Sequence, residues 1–159
     1  MKLLLTTLLL LSVNLFAASK LDETNISKML DEVKVAKEHK NLRAMKKHFL
    51  SRTPVSLTKQ EIETSKTKRF TFNEYKRHLS KKWKKVESNL IETKERSFNI
   101  DTNGKGALVK TTLVQTLEIE GVKTAVTIYE TTGIKLVKGK IYINYYSARV
   151  MMNTAMRVN

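Results

Sequence analysis

Residues 122–151 read VKTAVTIYETTGIKLVKGKIYINYYSARVM. Thr, Val, Ile and Tyr dominate this run, the residue types that suit a pleated, half-buried surface. Lys138-Gly139 divides it, and a two-residue hairpin turn there fixes which side chains face each other. Leu136 then faces Ile141, Ile134 faces Ile143, Thr132 faces Tyr145, Glu130 faces Ser147 and Ile128 faces Arg149. The mostly apolar members of both segments fall on one side, as a sheet with one buried face requires.

Working back along the chain, Glu120-Gly121 and Asn103-Gly104 are two further hairpin signals. Together the three turns predict four antiparallel strands over 88–101, 106–119, 122–137 and 140–151. The Glu120-Gly121 turn sets Leu117 opposite Thr124, Gln115 opposite Val126, Leu113 opposite Ile128, Thr111 opposite Glu130 and Val109 opposite Thr132. One face thus gathers Val109, Leu113, Leu117, Val126, Ile128, Ile134, Leu136, Ile141 and Ile143, and the other carries Lys110, Glu118, Lys123 and Lys135.

Upstream, the period changes from 2 to 3.6. Ile26, Met29, Leu30, Val33 and Ala36 share one helical face within 24–50, with Asp22 and Glu23 at the end where negative charge suits the helix dipole. His39-Lys40-Asn41 interrupts that helix, and a second short one presents Leu42, Met45 and Phe49 and ends before Pro54. Val55 to Leu57 reads as a short strand, and 58–69 as a polar surface connection in which Thr58 and Glu61 have the spacing of a single capped turn. Thr71 and Glu74 form a capping box for a third helix, stapled by Phe70 and Tyr75. Its apolar side runs through Phe72, Tyr75, Leu79, Trp83 and Val86. Its other sides carry Lys76, Arg77, Lys81, Lys82, Lys84 and Lys85, a solvated face or one for lipid or glycan. Helices followed by a long meander define an α+β domain, with the N-terminal helices packed on the apolar face of the sheet.

That face has a polar row. Thr111, Glu130 and Ser147 stand across it, with Gln115, Tyr145 and Arg149 nearby. An inward-facing carboxylate is costly unless paired, hydrogen-bonded or wetted. Arg149, diagonal to Glu130, is the expected partner. The row reads either as a buried ion pair at a sheet end or as the polar end of a pocket, with Glu130 as base or acceptor and Arg149 as anion anchor.

The first residues bear on location. Lys2, the apolar run Leu3 to Leu11 and the small residues Ala17-Ala18-Ser19 make a secretory signal peptide over 1–19. The run is too short to span a bilayer, which takes roughly 20 apolar residues. The expectation is therefore a periplasmic or secreted protein with a single mature domain over 20–159 and no membrane span. The chain has no Cys, which excludes disulfides, thiolate metal sites and a Cys nucleophile. Thirty Lys and Arg against 15 Asp and Glu give a net charge of +15, almost all of it beyond the leader. Such a charge attracts anionic ligands or envelope polyanions, in a salt-dependent way, or serves solubility alone. No specific nucleic-acid platform is present, because no basic run is interleaved with aromatic residues. No His, Asp or Glu spacing makes a metal site, and Gly104-Lys105-Gly106 lies in a hairpin loop rather than a phosphate cradle, so no cofactor is expected.

The chain resembles the nuclear transport factor 2-like superfamily. The resemblance runs through Asn41-Leu42 to Phe49-Leu50, through Phe72, Tyr75, Leu79 and Trp83, through Ala107-Leu108-Val109, and through Gly139-Lys140-Ile141-Tyr142-Ile143. In many members an aromatic residue follows that last glycine; here Ile141 or Tyr142 takes the place. The resemblance implies a cone formed by a kinked helix pair, a third helix and a strongly bent antiparallel sheet. The superfamily includes cyclases, isomerases, dehydratases and epoxide hydrolases beside many non-catalytic binding domains, and none of its catalytic sets maps onto this chain. His39, His48 and His78 all fall in helical segments. Three functions follow as expectations: a binding domain for a small or anionic ligand or an envelope partner, a scaffold dimerising through Tyr129, Tyr142, Tyr146 and Val150 on the outer sheet face, or a cyclase- or isomerase-type enzyme using Glu130.

Overall fold

A computed structural model describes residues 20–61 and 64–151. The leader over 1–19 and the last residues of the expected domain lie outside the described residues. Helix α1 (Glu23–Glu38) begins with a reciprocal cap. Asn25 N–H donates to Asp22 Oδ1 at 2.7 Å, and Asp22 N–H donates to Asn25 Oδ1 at 3.2 Å. Its buried stripe includes Ile26, Met29, Leu30, Val33 and Ala36, as the spacing predicts. The break falls where expected: Lys40 takes a positive φ of 55°, and the Asn41 side chain caps α2 (Leu42–Lys46) by accepting from Ala44 N–H at 2.9 Å. This second helix is shorter than expected. Phe49 leaves it to bridge Ile143, with Ile143 N–H donating to the His48 carbonyl at 2.7 Å.

Residues 54–71 depart furthest from expectation. They form a hairpin, β1 (Pro54–Gln60) and β2 (Ser65–Thr71): the short strand expected at Val55 to Leu57 is present and longer, and β2 lies in the stretch 58–69 where the sequence suggests a surface connection with one helical turn. Helix α3 (Phe72–Trp83) follows, with the Thr71–Glu74 capping box in place and the Phe70 and Tyr75 rings 6.5 Å apart. The four long strands are β3 (Ser88–Ile100), β4 (Gly106–Ile119), β5 (Val122–Val137) and β6 (Lys140–Met151), within a residue of the predicted bounds. The sheet order is β2-β1-β6-β5-β4-β3, and β1 runs parallel to β6. The six-stranded sheet is therefore mixed rather than purely antiparallel, and it is not closed. Its two edges are β2 and β3.

Both tight turns have the backbone that right-twisted hairpins demand. Glu120 and Gly121 take φ of 51° and 73°, and Lys138 and Gly139 take 49° and 73°. Positive φ at both central residues matches the strand twist and is tolerated best where the second is glycine. The predicted β4–β5 register holds throughout, including Thr111 opposite Glu130 and Leu113 opposite Ile128. The β5–β6 register holds only as far as Ile134 opposite Ile143.

Beyond that pair the register shifts. Gly133 pairs with Tyr145, so Asn144 is an extra residue on β6. This bulge moves each later β6 partner by one, and the side-chain period of two turns that shift into an exchange of faces. Thr132 now meets Tyr146, Glu130 meets Ala148 and Ile128 meets Val150. Tyr146 and Ala148 point into the core, each 3% exposed, while Tyr145 and Arg149 are exposed on the other side. A Cβ on Gly133 would lie 2.8 Å from Asn144 Oδ1 and 2.9 Å from Tyr145 Cβ, so glycine lets the bulged strand approach closely. The hydrophobic core lies between the sheet and the three helices, with Phe49 and Phe72 stacked 4.2 Å apart beside Tyr146.

Candidate ligand-binding site

The interior polar group is centred on Lys37 of α1, Glu130 of β5 and Tyr146 of β6, with further members from α3, β3 and β4. On α1, Lys37 continues the stripe of Ile26, Leu30 and Val33 by a further turn and is buried with it. Its Nζ donates to Glu130 Oε1 at 2.8 Å and to the Tyr146 hydroxyl at 2.9 Å. The Tyr146 hydroxyl also donates to Glu130 Oε1, and the Tyr75 ring on α3 lies 5.9 Å from the Tyr146 ring, centroid to centroid. Asn89 on β3 extends the network: its Nδ2 donates to the Lys37 carbonyl at 2.9 Å, and its Oδ1 accepts from Gln115 Nε2 at 2.7 Å.

Burial sets the electrostatics. Desolvation pulls the Lys37 ammonium toward its neutral form, but the Glu130 carboxylate, together with Tyr75 and the hydrogen bond to Glu130, outweighs it and holds the pKa above the ordinary lysine value. Burial pushes the Tyr146 phenol well above its usual range, and the adjacent Glu130 charge pushes it further. Tyr75 is raised too, chiefly by burial and against the pull of Lys37. Such a pair persists in an apolar interior because each charge answers the other.

Above this floor lies a cavity of about 130 Å³. Leu57, Leu79, Trp83, Leu117, Ile128 and Val150 supply apolar wall, and Lys37, Asn89, Gln115, Glu130 and Tyr146 supply polar wall. On the other side of the Lys37–Glu130 pair a void of about 20 Å³ touches Thr93, Arg96, Thr111 and Thr132. A much larger groove of about 1030 Å³ runs along α1 and α2, but it is open to solvent and lies away from the buried charges.

Of the residues singled out by sequence, Thr111, Gln115 and Glu130 line these interior spaces. Tyr145, Ser147 and Arg149 do not, because the Asn144 bulge places them on the outer face. Arg149 is not the partner of Glu130; Lys37 is. Tyr146 and Val150, expected on the outer face as dimer contacts, point inward and line the cavity. Tyr129 and Tyr142 remain outside. The overlooked residues are Lys37, Tyr75 and Tyr146. Lys37 had a legible signal, a lysine at helical spacing on the apolar stripe of α1.

A mixed, open sheet with helices on one face and a polar-floored cavity between them is the cone of the nuclear transport factor 2-like fold, and this chain has that fold. Solved structures of three proteins illustrate the likeness. An NTF2-like protein from Cytophaga hutchinsonii superposes with a TM-score of 0.65 at 10% identity, over 81% of this chain and 98% of its own. A scytalone dehydratase candidate from Novosphingobium aromaticivorans gives 0.64 at 13% identity, over 84% and 87%. A hexachlorocyclohexane dehydrochlorinase from Novosphingobium barchaimii gives 0.64 at 7% identity, over 80% and 84%. At such identities the shared property is the fold. The sequence matches no family model and no curated protein. Among the described residues there is no helix long and apolar enough to cross a membrane, and no cluster of His, Asp or Glu placed to hold a metal ion.

Proposed function

We propose that this chain is an exported, non-catalytic binding domain that takes a small molecule with an apolar body into the cone. The supporting observation is the cavity of about 130 Å³, walled by Leu79, Trp83, Leu117 and Ile128 and floored by the Lys37–Glu130–Tyr146 cluster. An apolar cavity of about 150 Å³ is known to hold benzene, so the space suits a body of about one ring. The floor carries a balanced ion pair and offers hydrogen bonds without stray charge. Glu130 Oε1 already accepts from Lys37 and Tyr146, which fits a structural anchor better than a free base. Export rests on the leader pattern over 1–19.

Trp83 is the single tryptophan and lies on the cavity wall, so its emission reports occupancy directly. Titration with single-ring compounds should shift or quench that emission and raise the melting temperature. Ala148→Leu, which fills the wall, should remove both effects in a chain that still folds. Binding that survives this plug would place the ligand elsewhere. Cell fractionation should find the mature chain outside the cytoplasm, with its N-terminus near Lys20.

A second reading has its own support. Glu130 borders the cavity, and one protein of this fold is named as a dehydrochlorinase. On that reading Glu130 removes a proton from a bound substrate. Turnover of a cavity-bound compound that Glu130→Gln abolishes, with binding retained, would favour it over the binding domain.

A further inference from the structure

The rim of the cavity has an imbalance that its floor lacks. In the β1–β2 hairpin, Lys68 lies directly across from Leu57, and Lys66 across from Lys59. Leu57 lines the cavity, so Lys68 projects from the same side of the hairpin as that wall. Helix α3 follows β2 directly and folds over this side, placing His78 and Lys82 on the cavity wall beside Leu79 and Trp83. Cations from two elements therefore meet at one edge of the space.

Lys59 is paired with Glu61 at 2.7 Å, but among the described residues no ion pair involves Lys66, Lys68 or Lys82. Burial, and after it the charges of Lys68 and Lys59, pushes the Lys82 ammonium below its ordinary value. His78 is lowered by burial, then by Lys82 and Lys68; the nearby Phe70 ring, 5.2 Å away, brings no charge. Like charges held together beside a cavity store repulsion that an anion relieves on binding. Lys68 and Lys82 are themselves exposed, so the rim is the solvent edge of the cavity, and Lys81 on α3 and Lys84 and Lys85 just beyond its end do not line this space.

We infer that the Lys68–Lys82–His78 rim selects a small organic anion, a carboxylate or sulfonate on an apolar body of about one ring. Its charged group sits at the rim and its body lies against Trp83, Leu79 and Ile128. This rests on the cavity-binding reading and adds the chemical class of the ligand. Lys37 is not the anchor, because Glu130 already neutralises it.

The test compares benzoate with benzamide, its uncharged isostere, by Trp83 fluorescence on the mature protein at low ionic strength. Benzoate should bind on the order of tenfold more tightly, and about 0.5 M salt should remove most of that preference. Lys68→Gln and Lys82→Gln should each weaken benzoate about fivefold and leave benzamide unchanged. Thermal melts check that both variants fold, and two separate lysines guard against a local defect in either. Equal binding of benzoate and benzamide overturns the anionic rim and leaves the cavity reading standing. Binding of neither probe fails both. Sedimentation with phosphatidylglycerol vesicles that is lost in both variants, without any benzoate preference, reassigns the rim to a lipid surface and overturns the inference.

Discussion

Replacing Lys37 with methionine isolates the Glu130 carboxylate inside the cone. In the native chain the two side chains are 2.8 Å apart and each about 11% exposed. Breaking a buried pair from one side costs roughly 3–5 kcal/mol, because the remaining charge has lost its counter-ion. Glu130 also borders the cavity, where water can relax around it, and it keeps the hydrogen bond from Tyr146. Both effects put the expected cost at the lower end, about 3 kcal/mol. For a domain of about 140 residues the unfolding entropy near the midpoint is roughly 0.3 kcal/mol per degree, so the melting temperature should fall by about 10 °C. Adding Glu130→Gln removes the stranded charge while keeping an acceptor for Tyr146, so the double variant should regain about 2 kcal/mol of the loss. Calorimetry on the two single variants and the double closes the cycle. A Lys37→Met chain that melts within about 3 °C of the native one, or a double variant no better than the single, would refute a coupled, buried pair.

Alkaline pH should act on the same cluster. Lys37 has a folded-state pKa above 10.5, so its stabilisation is complete below that value and is lost as pH rises through the folded one. The Tyr75 and Tyr146 phenols are raised above 10.0, so above that pH the unfolded chain sheds their protons first and stability falls again. The three effects have one sign: the melting temperature should drop above about pH 10, with the tyrosinate absorbance of Tyr75 and Tyr146 appearing together with loss of structure. Retention of full stability well above that pH would contradict the burial of these groups. Gly133→Ala forces a Cβ within 3 Å of Asn144 and Tyr145 and should cost about 1–3 kcal/mol by denaturant unfolding; no loss would mean that the bulge is not tight. Thr71→Ala removes the hydroxyl that caps α3 and should cost about 1 kcal/mol; an unchanged midpoint would show that the cap contributes nothing to the domain.

Local chemistry was enough for much of the architecture. The Thr71–Glu74 cap, the break at Lys40, the positive-φ turns at Gly121 and Gly139 and the whole β4–β5 register follow from residues a few positions apart, or from a turn propagated along two strands. Thr111, Gln115 and Glu130 were placed inside for that reason. The β1–β2 hairpin was not legible because β2 is an exposed edge strand of mostly polar residues, with no apolar alternation to mark it. Its lysines suit an edge that must resist pairing with another chain.

By itself, then, the sequence determined the three helices and their N-caps, the four long strands, the turn chemistry at Gly121 and Gly139, the strong positive charge and a carboxylate facing the interior. Tertiary structure alone decided which groups meet that carboxylate. The parallel pairing of β1 with β6 joins residues some ninety positions apart through backbone bonds that carry no local pattern. One extra residue, Asn144, exchanges the two faces of β6, bringing Tyr146 in and sending Arg149 out. A slip of one residue leaves the composition of a strand unchanged yet inverts every side chain beyond it, so whether Tyr146 or Arg149 of β6 meets Glu130 is set by where the register breaks.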